Sequence, residues 1–262
     1  MSKQSKQPGL IQSIQRAVAI MRSFTEAEPE LSVMELSRRL DLHKSTVSRM
    51  LATLQYERLV DQNPETGKYR LGLGLVSLAG VSLGRLNARA AAQPYLTELA
   101  AVTQETVNVT VLDGRECVNI ERAFSPQPIR YMGWIGRRTP LHCTASGKVL
   151  LAYLSEEERT AVLLYPLPIY TSNTMTTQEE LAPSLAQVCR DGFAIVHEEY
   201  EEGFSSIAAP IFNHQGRVTG TIAISGPTYR LSDDVMNGFI NPLLTTTGKV
   251  SADLGYTTQY TR

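Results

Sequence analysis

The chain has 262 residues, 42% of them hydrophobic and 19% charged, and a formal net charge of −1. That length and apolar content are enough for a real buried core and suggest two domains, while the near-zero charge excludes a polycation and the absence of any apolar run of 18 residues argues against a membrane span. Three widely spaced cysteines, Cys117, Cys143 and Cys189, make no disulfide framework; with an N-terminus, MSKQSKQPGL, that lacks an apolar signal-peptide core, they point to a cytoplasmic protein.

Charge is spread unevenly. Residues 1–75 hold 11 Lys/Arg against 8 Asp/Glu, and the remainder holds 14 against 18. A mildly basic front and a mildly acidic back fit a nucleic-acid module joined to something else. Residues 1–9 are polar and read as disordered.

Ile14, Val18 and Met21 recur at helical spacing, with Ala17 and Phe24 on the same side, which predicts a helix over residues 10–24. Ser32 and Glu35 form a capping box ahead of a short second helix buried through Val33, Leu36 and Leu40. After a tight connection at Asp41–His43, Val47, Met50, Leu51 and Leu54 give the i, i+3, i+4, i+7 stripe of a third helix. Ser45, Ser48, Arg49 and Ala52 then point outward. From Leu42 to Tyr56 there is no carboxylate. Small side chains let a helix enter a major groove, and hydroxyls and Arg bond to phosphates and base edges. The spacing is that of a helix-turn-helix. Next, Leu59–Val60 and Tyr69–Leu71 flank a turn with Asn63, Pro64 and Gly67, which predicts a hairpin carrying Lys68 and Arg70. A helix-turn-helix followed by a basic hairpin is a winged helix. The candidate DNA-binding residues are Lys44, Ser45, Thr46, Ser48, Arg49, Lys68 and Arg70.

The stretch LSRRLDLHKSTVSRMLATLQYERLV and the following GKYRLG resemble the DNA-binding half of the IclR-type (isocitrate-lyase-regulator) family of bacterial transcription factors. The match to its Leu-x-Lys-Ser-Thr-Val-x-Arg-Leu-Leu form runs through Leu42, Lys44, Ser45, Thr46, Val47, Arg49 and Leu51. His43 stands where the family pattern has Pro, and Met50 replaces one Leu.

Leu73 to Ala90 is apolar with helical periodicity, and the resemblance implies a linker helix that helps pair DNA-binding domains. Beyond Pro94 a further helix runs to Thr103. VNVTVLDGRECVNIER alternates on both sides of Asp113–Gly114, a hairpin signal. Ile129 to Met132 reads as a strand. Helices are predicted over 146–154, 155–164 and 178–190, the last stopped by Gly192. FAIVHEEY, SSIAAPIF and VTGTIAISG read as strands. Residues 231–254 read as helix interrupted near Pro242. Strand pairs and helices alternate without a βαβ repeat, so the fold class is α+β with an antiparallel sheet. The expected organisation is a disordered 1–9, a winged helix-turn-helix over 10–72, a linker helix over 73–90 and an effector-binding domain over 91–262.

PLHCTASGKVLLAYL, EEYEEGFSSIAAPIF and AISGP resemble the three landmarks of the IclR-type effector domain, so that the likeness covers residues 10 to about 255. The resemblance implies a GAF/PAS-like fold with a small-molecule pocket above the sheet. Its ligand contacts carry over to Ala145, Ser146, Ser206, Ala223 and Ser225, with Val196 across the pocket. Acid-binding relatives tend to have polar residues where this chain has Val196 and Ala223, which favours a larger or partly aromatic acid. The N–H groups of Ala145 and Ser146 and the hydroxyls of Ser206 and Ser225 are candidates to hold the carboxylate, with Val196, Ala223 and Met132 around an apolar body.

Little points to catalysis. Gly147–Lys148 fails as a phosphate loop, because His142 and Val149 occupy the positions where Gly and Ser/Thr are needed. The four His and three Cys show no metal-ligand spacing, and no cofactor or metal is expected. Two alternatives stay open: a small-molecule hydrolase using Cys143, with His197 as a distant base, or using Ser206; and a nucleoid or protein-docking module without a ligand. The leading reading is a non-enzymatic, ligand-responsive regulator, repressor or activator, of a catabolic operon. Its expected partners are double-stranded operator DNA, an organic or aromatic acid, and a second copy of itself in a homodimer or a dimer of dimers.

Overall fold

A computed structural model of the protein describes residues 10–25, 27–83, 87–164 and 166–257. The chain divides after Arg85 into two compact units. The stretch 1–9, read as disordered, lies outside the described residues.

The first unit packs three helices against a two-stranded wing. Helix α1 (Gln12–Arg22), α2 (Val33–Leu40) and α3 (Lys44–Tyr56) surround a core of Ile20, Phe24, Leu31, Leu36, Val47, Leu51 and Leu54. The Ser32–Glu35 capping box forms as the sequence predicts. Asp41, at φ 52°, ends α2 and lets the chain turn into α3. Strands β1 (Val60–Gln62) and β2 (Tyr69–Leu71) pair antiparallel, and Val60 and Tyr69 close the core. Helix α4 (Gly74–Leu83) follows. Of the helix expected over 73–90, α4 covers Gly74–Leu83 and α5 begins at Asn87; residues 84–86 lie outside the described residues.

The second unit is built on a six-stranded, wholly antiparallel sheet in the order β5-β4-β3-β8-β7-β6. Its strands are β3 (Thr106–Asp113), β4 (Glu116–Ala123), β5 (Arg138–Pro140), β6 (Ala194–His197), β7 (Phe204–Phe212) and β8 (Val218–Pro227). Gly114, at φ 64°, opens the β3–β4 turn. Directly opposed residues share a face of an antiparallel sheet. The pairs Val107↔Ile224, Val109↔Ile222 and Ile207↔Ile224 therefore make one apolar face. It packs under α5 (Asn87–Thr103) and α9 (Asp233–Asp253). The other face carries Thr106, Asn108, Thr110, Ser206, Ala208, Thr221, Ala223 and Ser225, and lies under α6 (Ala145–Ala152), backed by α8 (Gln178–Asp191). Helix α7 (Glu156–Leu163) joins α6 to the segment before α8.

Three local expectations are corrected. Ile129–Met132 forms no strand; side chains rather than a ladder take its carbonyls. Arg230 donates to Ile129 O at 2.8 Å, Thr106 to Tyr131 O at 2.9 Å and Arg122 to Met132 O at 2.8 Å. The edge strand next to β4 is instead β5. Helix α5 starts seven residues before Pro94 and runs through it, and α9 runs unbroken through Pro242. Each proline removes one backbone donor and crowds the preceding turn. Burial of Ala92, Leu96 and Leu99 on one side, and of Met236, Leu243 and Val250 on the other, outweighs that loss.

Candidate functional site

In the first unit, α3 buries Val47, Leu51 and Leu54 and exposes Lys44, Ser45, Ser48, Arg49 and Ala52; Thr46 and Met50 are half-buried. His43, which departs from the family pattern, is the N-cap, its Nδ1 accepting from the Ser45 N–H at 3.3 Å. The helix thus begins at Lys44, and its small, hydroxylic and cationic side is free of the core. Tyr56, 84% exposed at the end of the same helix, escaped the sequence reading.

The wing cations are not free arms. Lys68 Nζ lies 3.6 Å from Glu35, and Arg70 Nη1 lies 3.8 Å from Glu30. Glu30 also accepts from Asn63 at 2.9 Å and Thr66 at 3.1 Å, which ties the wing tip to the segment before α2. The Asn63 hydrogen bond is the main cause that holds the Glu30 carboxyl below its ordinary range. The antiparallel bridge between Leu31 and Tyr69 brings these acids to the wing, and nothing in the local spacing announces it.

In the second unit the polar sheet face and the start of α6 enclose a cavity of about 60 Å³. A buried water needs roughly 10–15 Å³ on this measure, so the cavity suits a small molecule. Thr144 caps α6: its hydroxyl accepts from the Gly147 N–H at 3.1 Å and donates to Pro140 O at 2.8 Å. The Ala145 and Ser146 N–H groups, first in the helix, have no intrahelical acceptor and face anions favourably. Gly147 is needed because a Cβ there would lie 2.2 Å from the Leu141 carbonyl oxygen, so tightly does α6 press on the end of β5.

Ala145, Ser146, Val196, Ser206, Ala223 and Ser225 all line this one cavity. Met132 does not: it is 42% exposed, and its neighbour Tyr131 lines the space instead. Because Ile129–Met132 is not a strand, strand alternation does not decide which of the two side chains faces the cavity. Asn108, Thr110, Asn119 and Thr139, also in the lining, were missed. The signal was present in VNVTV, where both the Val and the Asn/Thr members are buried. A polar set inside a doubly covered strand marks a pocket floor rather than a solvent face.

Tyr131, Tyr200 and Phe204 also line the cavity, and Arg137 lies over the Tyr131 and Trp134 rings at 4.9 and 4.8 Å while bonding Glu201 at 3.0 Å. Lys148 of α6 is paired with Glu199 at 2.5 Å, both buried, which holds the segment that supplies Tyr200 and Glu201. Burial pushes the Glu199 carboxyl up, and Lys148 draws it part of the way back.

Cys143 also lines the cavity, but burial pushes its thiol up to about 12, so it is a neutral thiol rather than a nucleophile. His197 is engaged with Asp233 at 3.0 Å, and among the described residues no hydrogen bond joins Cys143 or Ser206 to a histidine. No group of three or more His, Cys, Asp or Glu able to hold a metal occurs among the described residues, and none of their helices is long and apolar enough to cross a membrane.

A winged helix with a cationic outer helix face, followed by a unit closed over a polar cavity, defines a DNA-binding regulator that answers to a small molecule. The family models for the IclR helix-turn-helix domain and for the bacterial transcriptional regulator IclR C-terminal region match residues 13–64 and 81–252. The chain is 39% identical over 248 residues to the HTH-type transcriptional regulator XynR of Escherichia coli, covering 94% of this chain and 98% of that one. It is 36% identical over 252 residues to the regulator KdgR of Dickeya chrysanthemi, covering 96% and 82%. Among solved structures, the Thermotoga maritima IclR superposes with a TM-score of 0.79 at 27% identity, covering 93% of this chain and 99% of that one. An IclR homologue of Microbacterium hydrocarbonoxydans, solved with 4-hydroxybenzoate, superposes with a TM-score of 0.81 at 25% identity, covering 92% and 98%. The chain belongs to the IclR family of bacterial transcription regulators. It is a regulator and not an enzyme, and the hydrolase alternative on Cys143 or Ser206 falls.

Proposed function

We propose that this regulator binds a two-fold operator of a catabolic operon as a homodimer, itself able to pair into a dimer of dimers, and that a small organic acid in the second unit shifts its DNA-competent population. In this reading Lys44, Ser45, Thr46, Ser48 and Arg49 enter the major groove, and Lys68 and Arg70 contact phosphates beside it. Ala145 and Ser146 present N–H groups to the carboxylate, with Ser206 and Ser225 beside them. The single observation that carries the effector reading is the polar-lined cavity between the α6 N-terminus and the polar sheet face. The 4-hydroxybenzoate held by the Microbacterium hydrocarbonoxydans homologue supports an acid as its occupant.

The lining also changes the expected ligand. Val196 and Ala223 alone favour an acid with a large apolar body. Asn108, Thr110, Asn119 and Thr139 around a cavity of about 60 Å³ favour a small and polar one. Hydrogen bonds from hydroxyls to a charged group are worth about 1.5–3 kcal/mol each, so Ser206→Ala or Ser225→Ala weakens binding of the acid roughly 10- to 150-fold. Calorimetry against a panel of organic acids, with operator gel shifts on the same proteins, tests this. Both variants keep ligand-free operator affinity. Unaltered acid affinity in both would move the effector site elsewhere.

A further inference from the structure

The cavity floor holds one buried polar group that the protein leaves without a partner. Asn108 lies in β3, is 2% exposed and lines the cavity; its carboxamide oxygen is buried and has no hydrogen bond among the described residues. The three threonines on the same face are satisfied. Thr110 Oγ1 donates to Asn119 Oδ1 at 2.9 Å, Thr221 Oγ1 to Ser146 Oγ at 2.9 Å, and Thr106 Oγ1 to the Tyr131 carbonyl at 2.9 Å. A buried amide oxygen without a donor is unfavourable, and Asn is a poor strand residue besides. A branched apolar side chain would suit β3 better on both counts.

The loop after β4 leaves room for that amide. Gly133, at φ 37°, is buried, and a Cβ there would come within 2.5 Å of Asn108 Oδ1 and 2.9 Å of Nδ2. The carboxamide is thus confined between the Gly133 backbone and the cavity, and a turn about its soft χ2 bond presents Oδ1 to a ligand. An acceptor held in this way sorts ligands by what they bring. The Ala145 and Ser146 N–H groups suit a carboxylate, and Asn108 Oδ1 lacks a donor. An acid that also carries a hydroxyl completes both, whereas its deoxy counterpart leaves the amide oxygen unsatisfied.

We propose that Asn108 is a specificity-determining residue of the cavity, accepting a hydrogen bond from a ligand hydroxyl and selecting hydroxy acids over the matching deoxy acids. This inference rests on the organic-acid reading of the cavity. The test uses the full chain, wild type and Asn108→Leu, with Asn108→Val as a second variant in case leucine does not fold. Calorimetric titration compares glycolate with acetate, 3-hydroxybutyrate with butyrate, and 4-hydroxybenzoate with benzoate. Melting without ligand is followed by fluorescence of Trp134, the chain's single tryptophan. Wild type is expected to prefer the hydroxylated member of a pair by about tenfold, and the variants to lose that preference. The ligand-free variants are expected to melt at or above the wild-type temperature, because an unsatisfied amide has been removed. A variant that keeps the hydroxyl preference overturns the proposal. So does melting several degrees lower in both variants, which would make the amide a structural group. If no member of any pair binds wild type, the acid reading of the cavity fails; the ligand-free melting comparison then decides Asn108 alone, a lower temperature overturning it and an equal or higher one retaining the amide as a group held for a ligand.

Discussion

Lys148→Met removes the ammonium from a pair whose side chains are 1% and 9% exposed, Lys148 Nζ lying 2.5 Å from Glu199 Oε1. The second carboxylate oxygen of Glu199 is buried without a partner, so the loss leaves the carboxylate with no side-chain hydrogen bond among the described residues. Breaking a buried pair by deleting one member costs about 3–5 kcal/mol. For a unit of this size that is a fall of roughly 6–20 °C in melting temperature. Replacing both charges, as Lys148→Met with Glu199→Leu, leaves no buried charge and restores most of the loss. Urea unfolding followed by Trp134 fluorescence measures this in the second unit alone, because the first unit has no tryptophan. The pH dependence has a definite sign. Burial already holds the Glu199 carboxyl above its ordinary value, and loss of Lys148 raises it further. An acid with a raised folded pKa contributes most below its unfolded value and loses stability as pH rises through the folded one. The single variant is therefore most nearly rescued in acid and weakest at neutral pH. A cost under about 1 kcal/mol for Lys148→Met, or a double variant as unstable as the single, would refute a desolvated pair.

On the DNA side, Arg49→Ala and Ser45→Ala lie on the exposed side of α3 and leave the fold intact, while removing a hydrogen bond to a base edge weakens operator binding by about 1–3 kcal/mol; unchanged gel-shift affinity in both would take this helix out of the groove. Lys68→Ala or Arg70→Ala weakens specific and non-specific binding alike and lowers the salt slope by about one for each phosphate no longer neutralised, so a variant with altered base preference and an unaltered slope contradicts the assignment. In the folded protein at pH 8, Ellman's reagent should titrate the exposed Cys189 quickly and spare Cys117 and Cys143, whose thiols burial pushes up to about 12, until denaturant is added. Rapid reaction of Cys143 in the native state would reopen a chemical role for it.

The DNA-binding half was legible in the chain because its determinants are local. The capping box at Ser32–Glu35, the Val47, Leu51 and Leu54 stripe and the paired runs around Gly67 each lie within one or two turns of backbone, where periodicity and turn chemistry act directly. The same holds for the α6 start, expected at 146 and found at Ala145. What local pattern could not supply was any feature made by register or by distant side chains. Ile129–Met132 alternates like a strand, but Arg122, Thr106 and Arg230 cap its carbonyls. Helices α5 and α9 keep their prolines because buried neighbours stabilise them. Glu30 and Glu35 meet Arg70 and Lys68 only when the wing folds back on the segment before α2. The cavity was half visible. Ala145, Ser146, Val196, Ser206, Ala223 and Ser225 come from motifs that can be read in line, whereas Asn108 joins them because β3 pairs with β8 so that Asn108 stands opposite Ala223. Sequence alone determined the helices and wing of the first unit and which residues of α3 face outward. Antiparallel pairing across more than a hundred residues decided which side chains share the cavity, because cross-strand neighbours are set by the packing of the whole sheet and not by spacing along the chain.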